Sequence, residues 1–386
     1  MRRVYLDHSA TTPVRQEVIQ VMNEYMDQHF GNPSSIHWFG REAKKGMDIA
    51  RKQVSDLLNV LPEEIIFTSG GTEADNLAIK GIAYANRGKG NHIITTKIEH
   101  HAVLHTCEIL EKEGFEVTYL PVDEYGLVDL DELEASIRPE TILMTIMYAN
   151  NEIGTIQPMK QIAAIGKKHQ VYVHSDAVQA AGIIPVDAND LSLDALTLSG
   201  HKFYGPKGVG ALFVRKGTRI IPIAHGGGHE MGRRAGTENI PGIVGLGMAA
   251  ELARTEMQSR ISRIKRLRDK LLEGIISGIP DIRLNGHPIE RLPGNINICV
   301  AYVEGESLLL NLDIKGIAAS SGSACTSGSL DPSHVLTAIG LPHEIAHGSL
   351  RLTLGAGTTE DDVDYVLEVL PEIVDRLRMM SPLSNK

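Results

Sequence analysis

The chain has 386 residues, 42% hydrophobic and 22% charged, enough for two domains with sizeable cores and ordinary for a globular protein. Its net charge of −10, with no lysine or arginine block, argues against nucleic acid or an anionic membrane surface as partner. No apolar run reaches the roughly 20 residues of a membrane span, no signal-peptide core follows Arg2 and Arg3, and three cysteines without a CxxC pair suit a reducing cytoplasm.

Residues 1–15 are polar and turn-rich. Apolar spacing then predicts a helix over Val14–Phe30 and, past the Gly31–Ser35 loop, a second over Gly40–Leu58. Strands and helices alternate after that. Strand Ile65–Thr68 leads to helix Thr72–Ala85, strand His92–Thr95 to helix Ala102–Glu113, and strand Phe115–Leu120 to helix Leu130–Ile137. Strand Ile142–Tyr148, helix Met159–His169 and strand Val171–Ser175 continue the series. Such alternation predicts an α/β fold with a mostly parallel sheet flanked by helices. Ala195–Leu198 and Val209–Val214 read as two strands around a Gly-rich hairpin loop. A glycine-rich stretch from His225 to Gly236 feeds a long helix, Ile240–Ile276, that would bridge two domains. The rest reads as α+β: strand Asn295–Val300, helix Glu306–Leu312, a Gly/Ser loop, helix Ser333–Ile339, strand Leu350–Leu354 and helix Glu360–Met379. The expected division is a large domain over 16–250 and a smaller one built from 1–15 and 251–386.

Within the hairpin loop, Lys202 stands among Ser199, His201 and several glycines, where a ligand can approach the backbone closely. A loop lysine is more often a solvated charge than a Schiff-base lysine. Asp176 shifts that balance. It falls at the carboxyl end of the Val171–Ser175 strand, and in open α/β sheets the ligand crevice lies outside the carboxyl ends of strands. A lysine and a carboxylate on one such rim are what pyridoxal phosphate (PLP) needs, the first for its aldehyde and the second for its ring nitrogen. Asp176 could equally cap the next helix.

Ser69–Ala74, between a strand and a helix, offers backbone N–H groups and the Thr72 hydroxyl to an anion. It lacks the Walker lysine and the GxGxxG spacing. Glu99, His100 and His101 follow the next strand, where an imidazole could stack on a flat ring or move a proton. Adjacent histidines diverge, and His225 and His229 are separated by glycines, so neither pair makes a metal site. Cys107 and Cys299 sit in apolar patterns and read as buried. Cys325, in a run of Ser, Gly, Ala and Thr, reads as an exposed thiol and a nucleophile candidate. That run, Ser320–Ser329, has no large apolar anchor and is expected to be mobile, so that the thiol can reach both a crevice and an outside acceptor. Arg351 interrupts an apolar strand, either as a surface residue or as a bidentate clamp for a carboxylate.

In order along the chain, DHSATTP, FGNPSS, TSGGTEADN, IEHHAV, NNEIGTIQP, HSDAVQ, SGHKFYGPKGVGAL, HGGGHE, AGTEN, SSGSACTSG and LRMMSPL resemble the NifS/IscS-type cysteine desulfurases. These are PLP enzymes of the aspartate aminotransferase fold type, and the long SGSACTSG loop is similar to that of the first of their two groups. The resemblance implies that Lys202 binds PLP, with Gly200 beside it, that His100 stacks on the ring, and that Asp176 and Gln179 meet the ring nitrogen and ring oxygen. Gly71, Thr72, Ser199 and His201 would hold the phosphate, with Thr237 supplied by the partner of a homodimer. Asn151 and Arg351 would hold the carboxylate of L-cysteine, and Cys325 would accept its sulfur for an acceptor protein such as an iron–sulfur scaffold. An aminotransferase of the same fold has no need of Cys325, and a non-catalytic carrier would need neither Cys325 nor Lys202.

Overall fold

The short apolar runs of the first half assemble into one seven-stranded sheet in a computed structural model that describes residues 2–321 and 332–381. In chain order, β1 (Val4–Tyr5) precedes helices α1 (Gln16–Asp27) and α2 (Trp38–Leu58). Then come β2 (Ile65–Thr68), α3 (Gly71–Asn86), β3 (His92–Thr96), α4 (His101–Lys112), β4 (Glu116–Leu120) and α5 (Leu130–Ala135). The series runs on through β5 (Thr141–Thr145), α6 (Met159–His169), β6 (Tyr172–Asp176), β7 (Ala195–Ser199) and β8 (Gly210–Val214). The second half holds α7 (Ile240–Gly278), β9 (Ile282–Leu284), β10 (Asn295–Val300), α8 (Gly305–Ile314), β11 (Ile317–Ala318), α9 (His334–Ala338), α10 (His343–Ala346), β12 (Ser349–Thr353) and α11 (Glu360–Met380).

The large sheet has the order β2-β8-β7-β6-β5-β3-β4, and only β8 runs against its neighbours. The strands β2, β3, β5, β7 and β8 are buried along their whole length, as expected for a sheet covered on both faces. One side packs on a core shared with α1, α2, α6 and the first part of α7, and the other on α3 and α4. The β5 strand is shorter than the predicted Ile142–Tyr148, yet the chain stays extended beyond it. Ile146 and Tyr148 still donate N–H bonds to the carbonyls of His174 and Asp176, which carries Asn150 and Asn151 to the sheet's rim. Ile220–Ile223 forms no regular element.

Helix α7 is 39 residues long and packs on two cores. Its Ile240–Ala253 part belongs to the core under the large sheet, whereas Ile264, Leu267, Leu271 and Ile275 join β10, β12 and α11 in a second core. Pro241 sits in its first turn, where no intrahelical N–H is required, and Asn239 caps it. The second core is closed by a feature without periodicity in the sequence. The two-residue strand β1 pairs in parallel with β11, so Val4 and Leu6 pack against residues from Ile264 to Val374.

Candidate active site

Strands β6 and β7 are parallel neighbours with Asp176 opposite Thr197. Their carboxyl ends therefore deliver Asp176 and, one tight 3-10 turn past Ser199, Lys202 to the same rim. A cavity of about 300 Å³ opens there. Of the residues singled out above, Gly71, Thr72, His100, Asn151, Asp176, Gln179, Ser199, His201, Lys202 and Arg351 line it. Asp176 caps a turn rather than a helix, since its Oδ1 accepts the Val178 N–H at 2.9 Å and no helix follows. Burial pushes its carboxyl up, while His100, the Val178 N–H and Lys202 pull it back down.

His100 caps α4 through Nδ1, which accepts the Ala102 N–H at 3.1 Å. A ring nitrogen that accepts carries no proton, so the neutral ring keeps its hydrogen on Nε2. Burial holds His100 below the usual imidazole range, against the pull of Asp176. Helix α3 begins at Gly71, capped by Gly70 at φ 154° and ψ −176°, a backbone shape that L side chains rarely adopt. A Cβ on Gly71 would lie 2.8 Å from Val178 Cγ2. Two glycines thus leave the first N–H groups of a 16-residue helix facing open space beside Thr72, Ser199 and His201. Burial first, and then Lys202, brings His201 down to about 4, so its imidazole is neutral, with Nδ1 and the Thr11 hydroxyl 3.1 Å apart.

Arg351 is buried in β12 and is not a surface residue. Its Nη2 meets Asp7 Oδ1 at 3.0 Å, and its Nη1 donates to the Asn151 carbonyl at 3.1 Å. Gly200 and Thr237 are not brought to the cavity. Gly200 is buried behind the turn, where a Cβ would lie 3.1 Å from Leu246 Cδ1, and Thr237 is exposed just ahead of α7. Cys325 lies outside the described residues, as does the mobility expected of its loop. Cys107 and Cys299 are buried, as their patterns imply.

A family model described as aminotransferase class-V matches residues 4–366. The chain belongs to that family. It is 61% identical over 385 residues to a cysteine desulfurase IscS of Methanosarcina thermophila, covering 100% of this chain and 95% of that protein. A cysteine desulfurase IscS of Clostridium botulinum is 56% identical over 384 residues, 99% of this chain and 97% of the other. A solved NifS-like protein superposes with a TM-score of 0.92 at 40% identity, covering 97% of this chain and 100% of that one. The chain is a PLP-dependent cysteine desulfurase.

The cavity of this desulfurase fits the cofactor on its own chemistry. An amine, a buried carboxylate and an imidazole surround a space of small-molecule size, and a helix N-terminus with hydroxyls closes one end. Sequence reasoning passed over three groups in its wall. Lys202 Nζ donates to the carbonyls of Ser9 at 2.6 Å and Ala10 at 2.8 Å, and Gln179 Nε2 donates to the same Ser9 carbonyl. Backbone carbonyls nearly 200 positions away leave no trace in composition or spacing. Asp75 also lines the cavity, fully buried one turn beyond Gly71, with Oδ1 3.7 Å from His174 Nε2. Burial, then the nearness of Asp176, pushes its carboxyl well up. An acid on the apolar face of an amphipathic helix was the signal that could have found it.

Proposed function

We propose that this desulfurase converts L-cysteine to L-alanine and leaves the sulfur on Cys325 as a persulfide for an acceptor protein, such as an iron–sulfur scaffold. The observation that supports this most is that Asp176 at the end of β6, Lys202 in the turn after β7 and Arg351 in the middle of β12 line one cavity. Lys202 would hold the cofactor through its amine, Asp176 its ring nitrogen, Gln179 its ring oxygen and His100 one ring face. Gly71, Thr72, Ser199 and His201 would hold the phosphate. When bound, the cofactor supplies an electron sink next to the substrate Cα.

Arg351 and Asn151 bind and orient the carboxylate of cysteine. The Lys202 amine, placed by Ser9 and Ala10, serves as base for the α-proton. His100 can give up a proton only at Nε2, because Nδ1 is committed to capping α4. Cys325, as thiolate, attacks the substrate sulfur. The S–S bond forms as the Cβ–S bond breaks, the electron pair stays with the carbon skeleton, and protonation of Cβ yields alanine. Cysteine and a thiol thus become alanine and a persulfide with no outside oxidant or reductant.

Two further readings go with this one. The enzyme acts as a homodimer in the cytoplasm, with Thr237 reaching the partner's phosphate site. Support comes from the exposed position of Thr237 and from an apolar patch around Phe30, Ile36, Trp38 and Phe39, with Ile36 91% exposed. The chain divides into a large unit over 16–250 and a small one from 1–15 and 251–386, in keeping with the two cores along α7. Holoenzyme given cysteine and a dithiol should release alanine and sulfide in equal amounts. Cys325→Ser should release neither yet still change the cofactor's absorbance when cysteine is added. Wild-type turnover by Cys325→Ser would overturn the reading.

A further inference from the structure

Ser9 and Ala10, within the polar Asp7–Thr12 stretch near the start of the chain, form part of the cavity wall. The backbone of this stretch is pinned to β12. Asp7 forms a parallel bridge with Thr353, Thr353 N–H donates to the Leu6 carbonyl at 2.7 Å, and Ser9 N–H donates to Thr353 Oγ1 at 2.9 Å. Thr353 is two residues beyond Arg351 on the same face of the strand. Asp7 is thereby fixed beside the guanidinium, and its carboxylate takes Nη2 at 3.0 Å.

A guanidinium has five N–H donors in a rigid fork. In Arg351, Nη2 is held by Asp7 and Nη1 by the Asn151 carbonyl. Nε is buried and has no hydrogen-bond partner among the described residues. The two anchors therefore fix the plane of the fork at the cavity wall. The planar fork of a guanidinium matches a carboxylate. Arg351 lines the cavity and Asp7 does not, so Asp7 acts on the ligand through the arginine.

We infer that Asp7 is a positioning residue for substrate selectivity: it orients Arg351 so that its guanidinium is preset at the cavity wall for the carboxylate of an amino acid. The inference rests on the reading of Arg351 as the carboxylate site. An arginine without this anchor has its rotamers to lose when the ligand arrives, and binding weakens accordingly. Asp7 also shares the arginine's positive charge, which by itself would weaken binding of an anion. A well-aligned fork–carboxylate contact is short and charge-assisted, so alignment is the larger effect.

The test uses holoenzyme carrying Cys325→Ser, titrated with cysteine or with cysteamine, which lacks the carboxylate, and read by the cofactor's absorbance. Asp7→Ala should raise the Kd for cysteine about tenfold and leave that for cysteamine unchanged. Asp7→Asn keeps an acceptor oxygen and should restore cysteine binding to within about threefold of the parent. With Cys325 intact, Asp7→Ala should raise KM while kcat stays within about threefold. If Asp7→Ala does not fold, Asp7→Ser carries the test, since serine suits the same extended backbone but is too short to reach Arg351. Equal weakening for both ligands would show a structural role and overturn the inference. So would unchanged or tighter binding of cysteine. Arg351→Ala is the separate arm. If it too leaves cysteine binding unchanged, the carboxylate-site reading itself falls. If it weakens cysteine alone while Asp7→Ala does nothing, only the role of Asp7 falls.

Discussion

Lys202 and Arg351 are both cations held by carbonyl oxygens, but for opposite ends. The Ser9 and Ala10 carbonyls catch the lysine ammonium from the N-terminal side, whereas Arg351 has a carboxylate partner as well. Lys202→Ala should abolish the borohydride-reducible bond between protein and cofactor. Lys207 is the nearest rival in sequence, and it is exposed and absent from the cavity wall. A reducible bond surviving in Lys202→Ala, mapped by peptide mass, would refute the assignment. Arg351→Ala removes a charge-assisted contact worth about 1.5–3 kcal/mol and should raise KM for cysteine tenfold or more. Steady-state kinetics with an unchanged KM would leave Arg351 a structural residue only.

At the scale of elements, the α3 N-terminus depends on backbone shape. Gly70 holds φ 154° at the cap, and Glu73 Oε2 accepts the Ser69 N–H at 2.8 Å, so the turn is closed from within the helix's first residues. Glu73 is in turn held by Arg234 Nε at 2.7 Å, which ties the loop ahead of Thr237 to the same turn. Gly70→Ala forces a side chain into a conformation that costs about 1–3 kcal/mol. It should lower stability by that order in urea unfolding and weaken PLP retention on dialysis. A variant with wild-type stability and cofactor content would show that the cap carries no strain. Helix α4 works on the same principle with a side chain, as His100 caps it and thereby sets its own tautomer.

For the whole molecule, burial of acids beneath the cavity makes stability depend on pH. Glu99 Oε1 accepts from Thr96 Oγ1 and from the Met147 N–H, and burial pushes its carboxyl up to about 8. Its folded pKa lies above the unfolded value. The unfolded chain therefore loses this proton first as pH rises, and the contribution to stability declines between about pH 4.5 and 8. Glu99→Gln keeps the accepting oxygen and cannot ionise. It should gain on wild type across that window by no more than about 1.4 kcal/mol per pH unit in urea unfolding. Parallel stability curves for the two proteins would mean that Glu99 is charged when folded. The Trp38 patch tests the assembly. Trp38 and Phe39 rings stand 5.0 Å apart and Phe30 and Phe39 5.3 Å, all four of the patch's large side chains exposed on this chain. Trp38→Asp should yield monomers in sedimentation with much reduced turnover. An active dimer of Trp38→Asp would place the interface elsewhere.

Much of this molecule is readable from local pattern. Strands Ile65–Thr68 and Asn295–Val300 and helix Met159–His169 keep their predicted limits, because short apolar runs bounded by turn residues have few other ways to bury themselves. The adjacency of Asp176 and Lys202 followed from where strands end in an α/β sheet. Contacts that depend on register between distant segments could be decided only by the tertiary structure. No periodicity marks β1 or β11, two residues each, yet their pairing brings Asp7 to Arg351 and Ser9 to Lys202. Side-chain chemistry near a motif is written in the neighbouring letters. A backbone carbonyl that accepts from a lysine 193 residues away is not, because every residue has one and only the packed fold selects which is used.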